Sequence, residues 1–450
     1  MHQDTYYKLS IMNKLTLLLS ALIAATGIHA ATIEDMPSDA QTIAYHIKVG
    51  WNLGNTLEAY NGGTASTSET DWGNPKATQT MIDAVKDAGF NAIRIPVRWY
   101  PHFTYTNGVV TIDATWLARV KEVIGYCLKD NLYVIMNTHH ELWLENHATY
   151  AEAEAVYAKE KALWTVLAKE FGDYDERVLF AGTNEVHIDG VWSECTAENA
   201  TVQNKFNQNF IDVVRASGGK NQYRNLIVQT YACNDSWGIS HLTIPTDPTQ
   251  GRLMVEIHAY EPYNYAMNPS EPYKYWGASY KSYGTESWSQ ESYIDGVFNK
   301  LKTAFADKGY PVIMGECGAI RHSNPNTNIN NSRAYYLKYF ISAAKSHGVV
   351  PFLWDNGSTG TGKESYGLFY RKQNMTQVDN FSINAIMEGA KTSYPYTSGI
   401  TAVINDKQDD HNIYNITGQL VKTSTDGTTS MSDLPEGIYI KNGKKIAHLK

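Results

Sequence analysis

Eight short, almost uninterrupted apolar runs recur through the middle of the chain, and amphipathic stretches separate most of them. The runs are Val49–Leu53, Asn91–Pro96, Leu132–Asn137, Val178–Gly182, Leu226–Thr230, Leu253–His258, Val312–Gly315 and Val350–Trp354. Helical spacing is read at Ala77–Ala88, Ala114–Leu128, Ala153–Lys169, Ala200–Ala216, Tyr293–Ala306, Arg333–Ser346 and Ile383–Ala390. Only the connection after Thr230 lacks a long helix. A parallel strand must return through a crossover, so this alternation predicts a parallel sheet covered by helices on its outer face. Eight units close most simply into an α/β (β/α)8 TIM barrel, which takes about 250 residues and leaves room here for long loops. An open doubly wound sheet is the alternative, but it wants a glycine-rich phosphate loop after its first strand. The segment Gly50-Trp51-Asn52-Leu53-Gly54-Asn55 does not supply one.

The ends of the chain differ from its middle. Met12-Asn13-Lys14 is a short basic start, Leu15 to Gly27 an apolar run, and Ala30 a small residue suited to cleavage. Residues 1–30 read as an export signal, with Met12 a candidate start. The run is shorter than the roughly 20 residues of a membrane span, and no other stretch is long and apolar enough, so no membrane span is expected. Residues 31–397 form the predicted barrel domain. Residues 398–450 turn polar and punctuated, with Ile413-Tyr414-Asn415, Gly418-Gln419-Leu420-Val421 and Gly437-Ile438-Tyr439-Ile440 as short alternating strands. That pattern predicts a small C-terminal β-module. The expected location is secreted, extracellular or attached to the cell surface.

Charge narrows the partners. With 38 Lys+Arg against 46 Asp+Glu the net charge is −8, which argues against nucleic acid and an anionic membrane surface. The four cysteines form no CxxC pair and no Cys/His cluster, so no zinc site is expected. One disulfide, Cys195 with Cys233, is open. The adjacent His139 and His140 point to opposite faces of a strand and cannot readily chelate one ion. No metal and no cofactor are predicted.

Polar side chains crowd the carboxyl ends of the apolar runs. Arg94 lies in the second, Asn137-Thr138-His139-His140 follows the third, Thr183-Asn184-Glu185 the fourth, and Glu256-Ile257-His258-Ala259-Tyr260 ends the sixth; Glu316 ends the seventh and Trp354-Asp355-Asn356 the eighth. Chemistry in such barrels sits at these ends. A single such residue reads as a satisfied core group; six sets at one rim do not. Glu185 and Glu316 would face each other across the barrel mouth, and paired carboxylic acids suit glycosidic bond cleavage. Across a narrow mouth the expected separation is about 5–5.5 Å, that of a retaining enzyme. A nearby cation such as Arg94 would hold one acid ionised.

These residues resemble glycoside hydrolase family 5, of the endoglucanase type. The resemblance runs from Gly50 to about Gly389 through GWNLGNTLEA (50–59), NAIRIPV (91–97), VIMNTHHE (134–141), TNE (183–185), EIHAY (256–260), VIMGECG (312–318) and FLWDNG (352–357). It implies Glu185 as general acid/base and Glu316 as nucleophile. It further implies that Asn184 bonds the sugar 2-hydroxyl, Arg94 lies under Glu316, Tyr260 bonds Glu316 and His258 sets the protonation of Glu185. His139 and His140 would bind sugar hydroxyls, and Trp354 would floor the cleavage-site sugar. Trp51 and Asn55, near the first strand end, are further substrate-binding candidates. Val186 departs from the proline common after the acid/base, and Cys317 from the aromatic common after the nucleophile. The tail resembles the C-terminal sorting domain of type IX secretion cargo, which implies contact with secretion machinery.

The resemblance implies a secreted endo-β-1,4-glucanase acting on polysaccharide by double displacement. The same mechanism on xyloglucan, mannan, xylan or mixed-linkage glucan is the alternative, and a non-catalytic glycan-binding protein is the reading from another class. Eight tyrosines and two tryptophans between Tyr260 and Tyr293 predict an aromatic wall for the cleft.

Overall fold

The computed structural model describes residues 32–63, 67–270, 272–396, 412–415, 420–423, 430–435, 437–441 and 444–448. The predicted export signal at residues 1–30 lies outside the described residues, as does much of the tail.

The eight runs close into a barrel. Its strands are, in order, Gly50–Asn52, Ala92–Ile95, Tyr133–Met136, Val178–Ala181, Leu226–Asn234, Leu253–Ala259, Val312–Cys317 and Val349–Leu353. Each pairs in parallel with its sequence neighbours, and the first pairs with both the second and the eighth. The predicted barrel is therefore the observed one. The strands read as continuous apolar runs because one face fills the barrel and the other is covered by helices. Ala92, Ile135, Leu179, Ile227, Met254, Ile313, Val350 and Phe352 pack inside. Gly50 makes room for them: a Cβ there would stand 2.0 Å from the Phe352 ring.

An N-terminal helix, Ala40–His46, joins this inner cluster through Ile43 and Ala44. Asp39 caps it by accepting from Thr42 N, and Asn91, just before strand two, donates to His46 O. That end of the barrel is thereby plugged, which leaves the carboxyl ends of the strands as the open mouth.

The outer helices include Gln79–Asp87, Ala114–Lys129, Ala153–Glu170, Ala197–Ala216, Glu291–Ala304, Thr327–Ser346 and Asn380–Ala390. Several begin where a side chain caps them: Thr78, Asp113, Thr196, Asn326 and Asp379. After strand five there is only Gly238–His241, as the missing periodicity foretold. A hairpin, Phe103–Thr106 with Val109–Ile112, follows strand two and was not predicted. The described part of the tail forms a four-stranded antiparallel sheet from Ile413–Asn415, Leu420–Lys422, Gly437–Lys441 and Lys444–His448. All four cysteines are buried and free, so Cys195 and Cys233 are not bridged.

Candidate active site

Strand-end irregularities aim the polar residues inward. The register of strands five and six shifts between Gln229 and Asn234, and that of six and seven between Ile257 and His258. Extra residues of this kind bend a strand end and re-aim its side chains. The second shift sets His258 opposite Glu316. Glu256 and His258, two apart, project to the same side.

Arg94 is the hub and is fully buried. Its Nη1 donates to Glu316 Oε1 at 3.0 Å and to Asn52 Oδ1 at 3.1 Å. Its Nη2 donates to Asn184 Oδ1 at 2.8 Å, and its Nε lies 2.9 Å from Glu256 Oε1. A planar guanidinium with five donors suits this branching better than an ammonium would. Asn52 is itself fixed by donating to Gly315 O and Leu353 O.

Glu316 also accepts from the Tyr260 hydroxyl at 2.9 Å, on its other oxygen. Across the mouth, Glu185 Oε1 lies 2.6 Å from His258 Nδ1. Glu185, His258 and Glu316 each place an oxygen or nitrogen within 4.8 Å of the others. The two carboxyls thus converge as closely as the retaining arrangement requires. Such a cluster has the spacing to hold a metal, but Arg94 and Tyr260 already donate to both oxygens of Glu316. A cation would have to displace the guanidinium, so the donor set suits proton handling better.

Burial pushes the Glu316 carboxyl up and the Glu185 charge adds to that, while His258, Arg94 and Tyr260 pull it back. Burial alone would also raise Glu185, but the His258 contact and charge win and hold it below the usual carboxylate range. His258 is held well above the ordinary imidazole value against its own burial, by the surrounding acidic groups. Two carboxyls and one imidazole this close titrate together, so the proton at the mouth belongs to the Glu185–His258 contact.

The other expected residues fall around this centre. His139 is buried and its Nδ1 meets the Asn137 amide at 3.0 Å. Burial holds its ring well below the ordinary value, hence neutral. It lies parallel to Trp354, centroids 6.3 Å apart and planes 5° apart. His140 has a left-handed φ of 54°, which turns it toward the rim, where its ring meets exposed Trp72 at 6.0 Å. Trp354 packs with Tyr260, Tyr366 and Ile320. Asn55, also left-handed at φ 54°, lines a cavity of about 400 Å³ with Trp72, Asn356, Glu364, Lys372 and Gln373.

Trp51 is a correction. It is fully buried, its indole N–H donates to Asp355 Oδ2 at 2.9 Å, and Arg371 lies over its ring. A side chain so enclosed, its one polar atom taken up by Asp355, holds up the strand-eight loop. The aromatic wall is also only partial. Trp276 and Tyr265 are buried against Tyr336, whereas Tyr263, Tyr283 and Trp288 are exposed. Asn52, Gln229, Cys233 and Glu256 carry the site from below and were not singled out. The signal for Glu256 was an acid inside an apolar strand, two residues before His258.

A TIM barrel whose rim brings together two carboxylic acids, an arginine and a histidine is the architecture of a glycoside hydrolase. The family model for cellulase (glycosyl hydrolase family 5) matches residues 56–360, and the chain belongs to that family. Among relatives, it is 35% identical to Endoglucanase A of Paenibacillus barcinonensis over 86% of this chain and 99% of that one. It is 38% identical to a xyloglucan-specific endo-beta-1,4-glucanase of Bacteroides ovatus, over 70% of this chain and 64% of that one. A Bacteroides ovatus GH5 xyloglucanase structure in complex with a XXXG heptasaccharide superposes with a TM-score of 0.74 at 35% identity, covering 80% of this chain and 79% of that one. A GH5-4 broad specificity endoglucanase from Bacteroides salanitronis gives 0.73 at 35% identity, covering 82% and 98%.

Proposed function

We propose that this glycoside hydrolase is an endo-β-1,4-glucanase acting by double displacement. Glu316 attacks the anomeric carbon, and Glu185, supplied by His258, protonates the departing oxygen. Glu185 then draws the proton from water as the glycosyl-enzyme is hydrolysed. Asn184, held by Arg94 at 2.8 Å, meets the 2-hydroxyl, while His139, His140 and Trp354 orient the ring. The observation that carries this reading is the convergence of Glu185, His258 and Glu316 within 4.8 Å. A non-catalytic glycan binder has no use for an ionised carboxylate buttressed by a buried arginine and a tyrosine hydroxyl.

The cavity between Asn55 and Lys372 adds polar room beside the mouth, which favours acceptance of branched as well as plain β-glucan. Secretion, directed by residues 1–30, and sorting by the tail from residue 398 complete the reading. A reducing-sugar assay on carboxymethyl cellulose and a panel of soluble β-glycans, with product lengths and anomers resolved, tests it. Net retention with internal cleavage is expected; inversion would overturn it.

A further inference from the structure

Glu256 lies on strand six beneath the reacting carboxyls and is fully buried. Its Oε1 is 2.9 Å from Arg94 Nε and 3.5 Å from His258 Nε2. Its Oε2 accepts from Gln229 Nε2 at 2.7 Å. The seat exists because Gly315 has no side chain. A Cβ there would come within 1.9 Å of Glu256 Oε1 and 3.0 Å of His258 Nε2. The imidazole thus sits between two carboxyls, Glu185 at Nδ1 and Glu256 near Nε2.

The charged and titratable groups facing His258 come from six strands or their ends: Arg94, His139, Glu185, Cys233, Glu256 on its own strand, and Glu316 with Cys317. Arg94 opposes a proton on the ring and the carboxylates favour one. Glu316 lies 3.8 Å from Nδ1, on the Glu185 side of the ring, and Arg94 Nη2 lies 3.4 Å from Nε2, so Glu256 is the carboxylate on the lower side of the ring and balances the guanidinium there. We propose that Glu256 is a positioning residue for acid/base catalysis: its carboxylate orients His258 toward Glu185 and retains the proton on that contact until the leaving oxygen takes it. The inference rests on Glu185 being the acid/base.

The test is the pH dependence of kcat/KM for 4-nitrophenyl cellobioside with the full chain, its Glu256→Gln variant and its Glu185→Gln variant. Removing the lower charge makes the His258–Glu185 contact give up its proton more easily. The descending, high-pH limb of Glu256→Gln is expected to move down by about one pH unit, roughly a tenfold loss on the alkaline side. A role confined to holding the fold would lower the whole profile and leave the limb in place, and that result overturns the inference. Glu185→Gln is expected to abolish the limb. If the limb survives there, the acid/base assignment falls instead.

A buried carboxylate paired with arginine can be indispensable for folding, so the unmodified protein supplies a second measurement. Its imidazole ¹⁵N spectrum, with His258 assigned by signal loss in His258→Asn, is expected to show both ring nitrogens protonated at pH 7. A singly protonated His258 at that pH overturns the inference, whatever the fate of the variant.

Discussion

Glu185→Gln separates proton delivery from everything else the mouth does. A glutamine keeps the size of the side chain and an oxygen for His258, 2.6 Å away in the native arrangement. Arg94 still holds Asn184 at 2.8 Å and Glu316 at 3.0 Å. What disappears is the acidic proton that the carboxyl can hand to the leaving oxygen. General acid catalysis contributes about 10²–10⁴-fold, equivalent to roughly 3–5.5 kcal/mol of transition-state stabilisation. The expected loss in kcat/KM on soluble β-glucan is therefore about 10²–10⁴-fold. On dinitrophenyl cellobioside, whose leaving group departs without a proton, kcat/KM should stay within a few-fold. There kcat should fall, because the glycosyl-enzyme then waits for water without a base. Azide needs no base, so it should restore turnover and give the β-glycosyl azide, the product of attack from the face that Glu185 guards. Equal losses on both substrates, or an α-azide, would refute the assignment of the two acids.

Four further outcomes follow from the same geometry. Glu316→Gln should lose nearly all turnover yet bind glycan, read by calorimetry beside the reducing-sugar assay; turnover comparable to the parent would remove it as nucleophile. Tyr260→Phe deletes a donor to the ionised carboxylate, so the proton affinity of Glu316 rises and the acid limb of kcat/KM should move to higher pH; a downward shift contradicts the contact. Trp51→Phe should cost about 1.5–3 kcal/mol in denaturant unfolding, the range for a hydrogen bond to a charged group, with KM changed less than twofold; a large rise in KM at unchanged stability would return Trp51 to the substrate. Denaturation without reductant should expose four titratable thiols, where a Cys195–Cys233 bridge would leave two.

The barrel was legible because burial on both faces forces each strand into an apolar run, and the return crossover forces a helix between runs. Even the weak point, the connection after Thr230, carries only the four-residue helix Gly238–His241. The hairpin at Phe103–Ile112 was not legible, since its two strands make only a side ribbon: Phe103 and Val110 are buried while Thr104, Tyr105 and Thr106 are exposed. Glu185, Glu316, Arg94, His258 and Tyr260 stood out as polar groups at strand ends, where the core gives them no reason to be. Trp51 failed by the same criterion, because a strand end places the backbone at the rim without fixing where the side chain turns. Asp355, held also by Leu368 N and Arg371, drew the indole inward. Glu256 stood in the strand-six run, but its role was not legible, for the opposite reason. It lies one layer below the rim, and its seat depends on Gly315 of the neighbouring strand, the residue passed over where the register of strands six and seven shifts. Polar groups at the rim are thus readable from their position on one strand, whereas a group one layer below, such as Glu256, is defined by contacts between strands.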